Sequence, residues 1–420
     1  MVSRFRRVLL DVTPLRDSAQ YRLLYFGLLV SQVGRQVTVV AVPYQAYVIT
    51  ESSLVVGLVS LAQLGPLLIA SVIGGAIADA VDRRKLLLLT QLALAGTSVA
   101  LALNAMLPSP ALWPLFVFSA LNAAFSAVDA PTREAAVPNL VQRSQLASAY
   151  ALQQIGLQLA QVLGPAMGGL VIARASLAAA YWIDVGTFVC AVVMILGLRP
   201  MPPHGGGRKV GLASIIEGFQ FLKGRRVLQS TFIIDLNAMV FGMPRALFPE
   251  LGTTVFGGGA ATVGLLYAAP GVGAAISALT SGWVSRVHRQ GRAVLIAVAG
   301  WGVAITLFGL TSTLWLGLLM LAIAGGADVL SAVFRNVILQ LRVPDRLRGR
   351  LSAVQIAVVT GGPRLGDFEA GAVAALTSAR FSVVSGGVAC TAGVVLLHLL
   401  VPSFDRVTAT DDEIEEASSG

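Results

Sequence analysis

The chain has 420 residues, 56% hydrophobic and 12% charged, with a mean hydropathy of +0.79. Soluble domains carry about 25% charged residues, and several uncharged stretches here exceed the roughly 18 apolar residues that mark a membrane span. This composition excludes a soluble globular domain and, lacking short alternating segments, a β-barrel; the net charge of +9 reads as membrane topology and lipid contact rather than nucleic-acid binding.

Residues 1–22 form a basic segment with no cleavable signal pattern, so the first span is expected to act as the membrane address. Apolar runs then fall at 23–49, 54–79, 85–107, 111–133, 146–173 and 177–198, the expected first six-helix half, 23–198. A polar link, 199–227, begins rich in Pro, Gly, Lys and Arg. Its Leu212, Ile215, Ile216, Phe219 and Leu222 recur at helical spacing, which predicts an amphipathic helix on the membrane surface. Runs at 228–250, 262–284, 293–312, 314–338, 351–376 and 380–402 make a second half, 228–402, before an acidic tail at 403–420. The fold class expected is therefore an all-α polytopic membrane protein with twelve transmembrane helices in two parallel six-helix repeats.

Of the 30 Lys and Arg, only Arg174 and Arg380 fall in outer turns when the even-numbered turns are placed inside. Arg35, Arg133, Arg245, Arg335 and Arg364 lie within or at the edge of spans, and the other 23 occupy the termini and inner loops. The positive-inside rule then puts both termini in the cytoplasm. The repeat is visible directly. "VGLVSLAQLGPLLIASVIGGAIAD" from Val56 aligns without a gap on "VGLLYAAPGVGAAISALTSGWVSR" from Val263, Gly57 on Gly264 and Gly75 on Gly282. Span two matching span eight in the same orientation is a parallel duplication, the transporter plan in which substrate binds at the midplane between halves.

Between spans two and three, "GGAIADAVDRRK" gathers Gly75, Asp79, Asp82, Arg83, Arg84 and Lys85 into one turn. Gly75 permits close helix approach. Asp79 can accept from Arg83 or Arg84, or face the positive end of another helix. The matching turn, "GWVSRVHRQGR", has Arg286 in place of Asp79. In span five, Gly164-Pro165-x-x-Gly168-Gly169 supplies small residues for close packing and a proline that loosens the helix.

The first motif resembles the loop signature of the major facilitator superfamily, with Asp82 where that family usually has glycine. The second is similar to the fifth-helix motif of its exporters. "GLLYAAPGVGAAISALTSG", "LNAMLPSPAL" and "AGAVAAL" resemble the family's enterobactin exporter branch over nearly the whole chain, the termini and linker least. The resemblance implies a conformational latch at Gly75, Asp79, Asp82, Arg83 and Arg84 that closes the cytoplasmic side, and an export motif at Gly164, Pro165, Gly168 and Gly169. It also implies proton-driven export of catecholate siderophores from the bacterial cytoplasm.

Charges within a span cost about 2.5–3.5 kcal/mol each, so they pair or line a cavity. "GGPRLGDFEAG" holds Arg364, Asp367 and Glu369; Arg364 and Asp367, three apart, are expected to pair along one face. Asp129, Arg133 and Glu134 form another group, and Asp328 lies near Arg335. Asp184, Asp235, Arg35 and Arg245 are dispersed. For each acid the alternatives are a structural ion pair, proton carriage or ligand contact. Asp235 and Asp328, with no base three or four residues away, suit proton carriage better than Asp367. Arg35 can attract an anionic ligand, with Tyr44, Tyr47, Tyr267 and Phe241 offering aromatic surface.

No phosphate-binding loop with Lys-Ser/Thr occurs, the three histidines make no metal-ligand spacing, and no serine sits in a nucleophile elbow. No enzymatic activity, cofactor or metal is expected. Cys190 and Cys390 lie in apolar runs and read as small core residues. The leading expectation is a monomeric proton-coupled antiporter of the bacterial inner membrane, exporting siderophores or related amphiphilic metabolites. A multidrug efflux pump and a non-transporting membrane sensor remain the alternatives.

Overall fold

The computed structural model describes residues 11–202, 217, 220–343 and 345–408. The expected amphipathic helix of the linker lies almost wholly outside these residues, as does the acidic tail beyond residue 408. Long helices are α1 (Ala19–Thr50), α2 (two pieces, Ser53–Ala62 and Leu64–Ala80), α3 (Arg83–Ala105), α4 (Trp113–Ala136), α5 (Leu146–Arg174) and α6 (Leu177–Leu196). They continue as α7 (Arg226–Phe241 and the short turns to Val255), α8 (Gly259–Thr280), α9 (Gln290–Leu310), α10 (Leu314–Arg342), α11 (Asp345–Leu376) and α12 (Ala379–Leu400). Eleven of them are long and apolar enough to cross a membrane. The other, α11, has ample length at 32 residues but carries Arg364, Asp367 and Glu369.

Helix starts follow local chemistry. Asp82 caps α3 by accepting from the Lys85 backbone N–H at 3.1 Å, which gives the unexpected acid of that turn a local task. Ser176 and Ser378 cap α6 and α12 in the same way, at 3.0 and 3.2 Å. The seventh span was expected unbroken over 228–250; instead α7 stops at Phe241, because Gly242 is a weak helix former and Pro244 has no N–H to give. Two carbonyls exposed by that break find side-chain donors. Trp301 Nε1 donates to Gly242 O at 2.8 Å and the Tyr267 hydroxyl to Arg245 O at 2.9 Å. A broken helix at membrane depth needs such partners, since lipid offers none.

The chain forms two compact units, residues 1–41 with 66–209, and residues 42–65 with 210–420. The adjoining ends of α1 and α2, Val42–Gly65, thus group with the second unit, although they precede the linker in sequence. Within that unit the first piece of α2 packs on α11. Gly57 faces the Asp367 backbone with room for no side chain, and the Ser60 hydroxyl donates to Asp367 Oδ2 at 2.5 Å. Also in this unit α10 packs on α8 and α9, α9 on α12, and α11 on α7.

In the first unit α3 packs against α4 and α6. A core of Tyr21, Leu24, Leu87, Leu152 and Ile195 is closed by the Tyr21 hydroxyl donating to Ala149 O at 2.8 Å. A short helix, Thr13–Asp17, is tied to the start of α5: Asp11 Oδ2 accepts from Ser148 Oγ at 2.6 Å and Asp17 from Gln145 Nε2 at 2.8 Å. Hydrogen bonds from Ser148 and Thr13 hold the exposed Asp11 carboxyl below its ordinary value of 3.8. A depressed folded value means the tie is complete above the unfolded value, about 4, and weakens as pH falls through the folded one. Backbone amides of 12–17, corrected for intrinsic exchange, should lose hydrogen-exchange protection on acidification in the wild type. In Asp11→Asn the loss should be absent; a wild-type profile flat with pH would refute this role.

Candidate functional site

The first unit encloses a half-open cavity of about 370 Å³ between α1, α4 and α5. On α1 the lining residues Tyr25, Leu28, Gln32 and Arg35 follow one another at three- and four-residue steps, so one helical stripe ends on the arginine. From α4 come Ala130, Arg133 and Glu134; from α5 come Tyr150, Gln153, Gln154, Gly156 and Leu157. Glycine lets α5 approach α1: a Cβ at Gly164 would lie 2.8 Å from Val33 O, and one at Gly168 3.1 Å from Val37 Cα. All four residues of the sequence motif, Gly164, Pro165, Gly168 and Gly169, are buried, and Gly164 and Gly168 face α1.

The charges around this cavity are sorted by depth. Asp129 is 2% exposed; its Oδ1 accepts from Thr90 Oγ1 at 2.9 Å and Gln91 Nε2 at 3.0 Å, and its Oδ2 holds Arg133 Nε at 3.0 Å. Asp184 is 0% exposed; its Oδ2 accepts from Thr38 at 2.6 Å and Ser98 at 2.7 Å. Neither carboxylate lines the cavity, whereas Arg35 and Arg133 do. Arg35 makes no hydrogen bond or ion pair among the described residues, although Arg133, Asp129 and Asp184 are near enough to act on its charge. A guanidinium on a membrane helix is costly unless it pairs or lines a cavity, and Arg35 does the latter.

The second unit places the other candidates. Asp235 forms a buried ion pair with Arg335 of α10, so it does have a base, supplied by another helix. Asp328, two turns before Arg335, makes no hydrogen bond or ion pair among the described residues; Arg335, Asp235 and Arg245 are its charged neighbours. Arg364 and Asp367 do not close to an ion pair. The hydrogen bonds of Asp367 come from Ser60 and the Ala246 backbone, with Arg364 and Arg245 nearby. Glu369 has no hydrogen-bond or ion-pair partner among the described residues.

Arg83 and Arg84 turn to the end of α6. Arg84 donates to Ile195 O at 3.3 Å and Leu196 O at 2.7 Å, and Arg83 to Pro202 O at 3.3 Å. The side chain of Asp79 lies outside the described residues. Of the proposed aromatic surface, Tyr267 is spent on Arg245 O and on an edge contact with Phe248, centroids 5.0 Å apart. Tyr44, Tyr47 and Phe241 do not line this cavity. Sequence reading passed over Tyr25, Gln32, Tyr150, Gln153 and Gln154. The signal for the first two was present, as polar residues ten and three positions before Arg35.

A family model described as transmembrane secretion effector, within the major facilitator superfamily, matches residues 11–417. The chain belongs to this family. Its relatives include proteins named enterobactin exporter EntS from Shigella boydii serotype 4 and from Escherichia coli, each 29% identical over 98% of this chain and 99% of theirs. Among solved structures, the nucleoside transporter NupG aligns with a TM-score of 0.71 at 12% identity, over 92% of this chain and 98% of that one. A D-xylose–proton symporter aligns with a TM-score of 0.71 at 14% identity, over 92% and 99%. At such identity these two share the fold alone. Family and neighbours are transporters rather than enzymes. This member of the family is thus a multi-pass inner-membrane exporter acting on a small molecule.

Proposed function

We propose that the protein is a secondary active exporter, a proton-coupled antiporter that moves siderophores or related small amphiphilic metabolites by alternating access. The observation that carries this reading is the cavity whose wall presents the unpaired Arg35 among Tyr25, Gln32, Tyr150 and Gln153. Such a surface offers a charge anchor, hydroxyl and amide hydrogen bonds, and ring faces to an oxygen-rich aromatic ligand. Relatives named for enterobactin export support the substrate class. Asp328 is the assigned proton carrier. Asp235 is held in its ion pair with Arg335. Asp328, with Arg335 and Arg245 nearby, makes no hydrogen bond or ion pair among the described residues and is the acid left to take up and release a proton. Both termini are placed in the cytoplasm, the working unit is the monomer, and the turn at Gly75, Asp79, Asp82, Arg83 and Arg84 serves as the cytoplasmic latch.

Proteoliposome transport under an imposed pH gradient tests this. A catecholate siderophore should move in the wild type and stop with a protonophore. Asp328→Asn should lose most gradient-driven flux while keeping gradient-free exchange of labelled substrate. Flux of a cationic dye without siderophore flux would transfer the protein to multidrug efflux.

A further inference from the structure

The cavity of the first unit carries two arginines, but they are not equivalent. Arg133 is held at 3.0 Å by Asp129 on the same helix, four residues earlier. Thr90 and Gln91 of α3 fix the other oxygen of that carboxylate, so Asp129 cannot turn away from Arg133 without breaking two further hydrogen bonds. Arg35 has no comparable clasp. The acids close enough to act on its charge are this Asp129 and Asp184, whose Oδ2 is taken by the hydroxyls of Thr38 and Ser98. The remaining charge on the wall, Glu134, is exposed, and its charge is screened more than that of the buried groups. The wall therefore shows a ligand one available guanidinium and keeps a second in reserve.

We infer that the site selects a ligand bearing a single anionic group, bound by Arg35, and that Asp129 sets this limit by withholding Arg133. This deepens the export proposal and rests on its reading of the cavity as the ligand site. Asp129 does not touch the ligand; it is a positioning residue that acts through Arg133. A free guanidinium forms charge-assisted, often bidentate hydrogen bonds with a carboxylate, and one already clasped by Asp129 has fewer donors left to give.

Equilibrium dialysis of the purified full-length protein against four simple aromatic probes tests the inference: benzoate with one charge, isophthalate and terephthalate with two, and benzylammonium with the opposite sign. The wild type should bind benzoate at least as well as either dianion and should reject benzylammonium. Asp129→Asn should turn the preference toward a dianion by at least about tenfold, the worth of one added charge-assisted contact. Arg133→Gln should weaken benzoate binding, because the bared Asp129 then competes for Arg35. The double variant Asp129→Asn/Arg133→Gln should restore the wild-type order, which a merely damaged fold would not do.

Arg35→Gln should abolish anion preference in the otherwise wild-type protein and in the double variant, whereas in Asp129→Asn it should leave the single-anion binding that the released Arg133 confers. If no anion binds the wild type, the reading of the cavity as ligand site fails. If benzoate binds but Asp129→Asn leaves the dianion ratio unchanged, that reading stands and the role given to Asp129 is refuted.

Discussion

Arg335→Gln is expected to destabilise the protein by about 3–5 kcal/mol, because it leaves the carboxylate of Asp235 buried without its partner. Asp235 and Arg335 are 5% and 7% exposed, on α7 and α10 of the same unit. The matched change Asp235→Asn/Arg335→Gln should recover most of the loss, since two neutral amides can hydrogen-bond where one stranded charge cannot. Thermal unfolding of the purified protein, followed by tryptophan fluorescence at constant detergent, measures both. A single variant as stable as the wild type would show that the pair contributes nothing; a double variant no better than the single would deny that charge balance is the cause.

The second large effect concerns backbone contact between α8 and α10. A Cβ at Gly273 would lie 2.9 Å from Ala322 Cα and closer still to its carbonyl, and one at Gly325 would lie 2.7 Å from Pro270 Cα. The obstructing atoms are main chain, so rotamer changes cannot relieve them. Gly273→Val and Gly325→Val should each cost about 3 kcal/mol or more, at the upper end of overpacking penalties, and lower the folded yield. Gly300 provides the contrast. It lies inside α9 with nothing within 4 Å of its Cβ position, and Gly300→Ala should be neutral or gain up to about 1 kcal/mol from helix propensity. Equal losses at all three positions would mean that composition, not close approach, governs this bundle.

Much of the fold was legible because a membrane span is a one-dimensional signal. Twelve apolar runs correspond to α1–α12, and each outlier in charge stands out against them. The unbroken seventh span was the exception: Pro244 and Pro249 were visible, but hydropathy averaging hides a three-residue interruption that keeps its apolar character. The candidate site was legible only where its chemistry is local. Arg35 announced itself as a mid-span charge, and the stripe from Tyr25 to Arg35 obeys helical spacing. Arg133 with Asp129 is a four-residue pair of the kind sequence can offer. The Asp235–Arg335 pair spans one hundred residues and two helices, and no periodicity encodes which helices become neighbours. Arg364 and Asp367 had suitable spacing, yet a hydroxyl from α2 and a main-chain N–H became the partners of Asp367.

The clasp of Arg83 and Arg84 on the end of α6 has a consequence for the connection between the halves. Three side-chain hydrogen bonds, with the Arg83 backbone N–H on Met201 O at 3.1 Å, moor residues 195–202 to the start of α3. The connection therefore departs from a fixed post rather than from a fraying helix end. Lengthening it, or splicing a reporter into it beyond that post, would pull on the mooring and not on the six helices behind it, much as a rope tied to a cleat spares the deck.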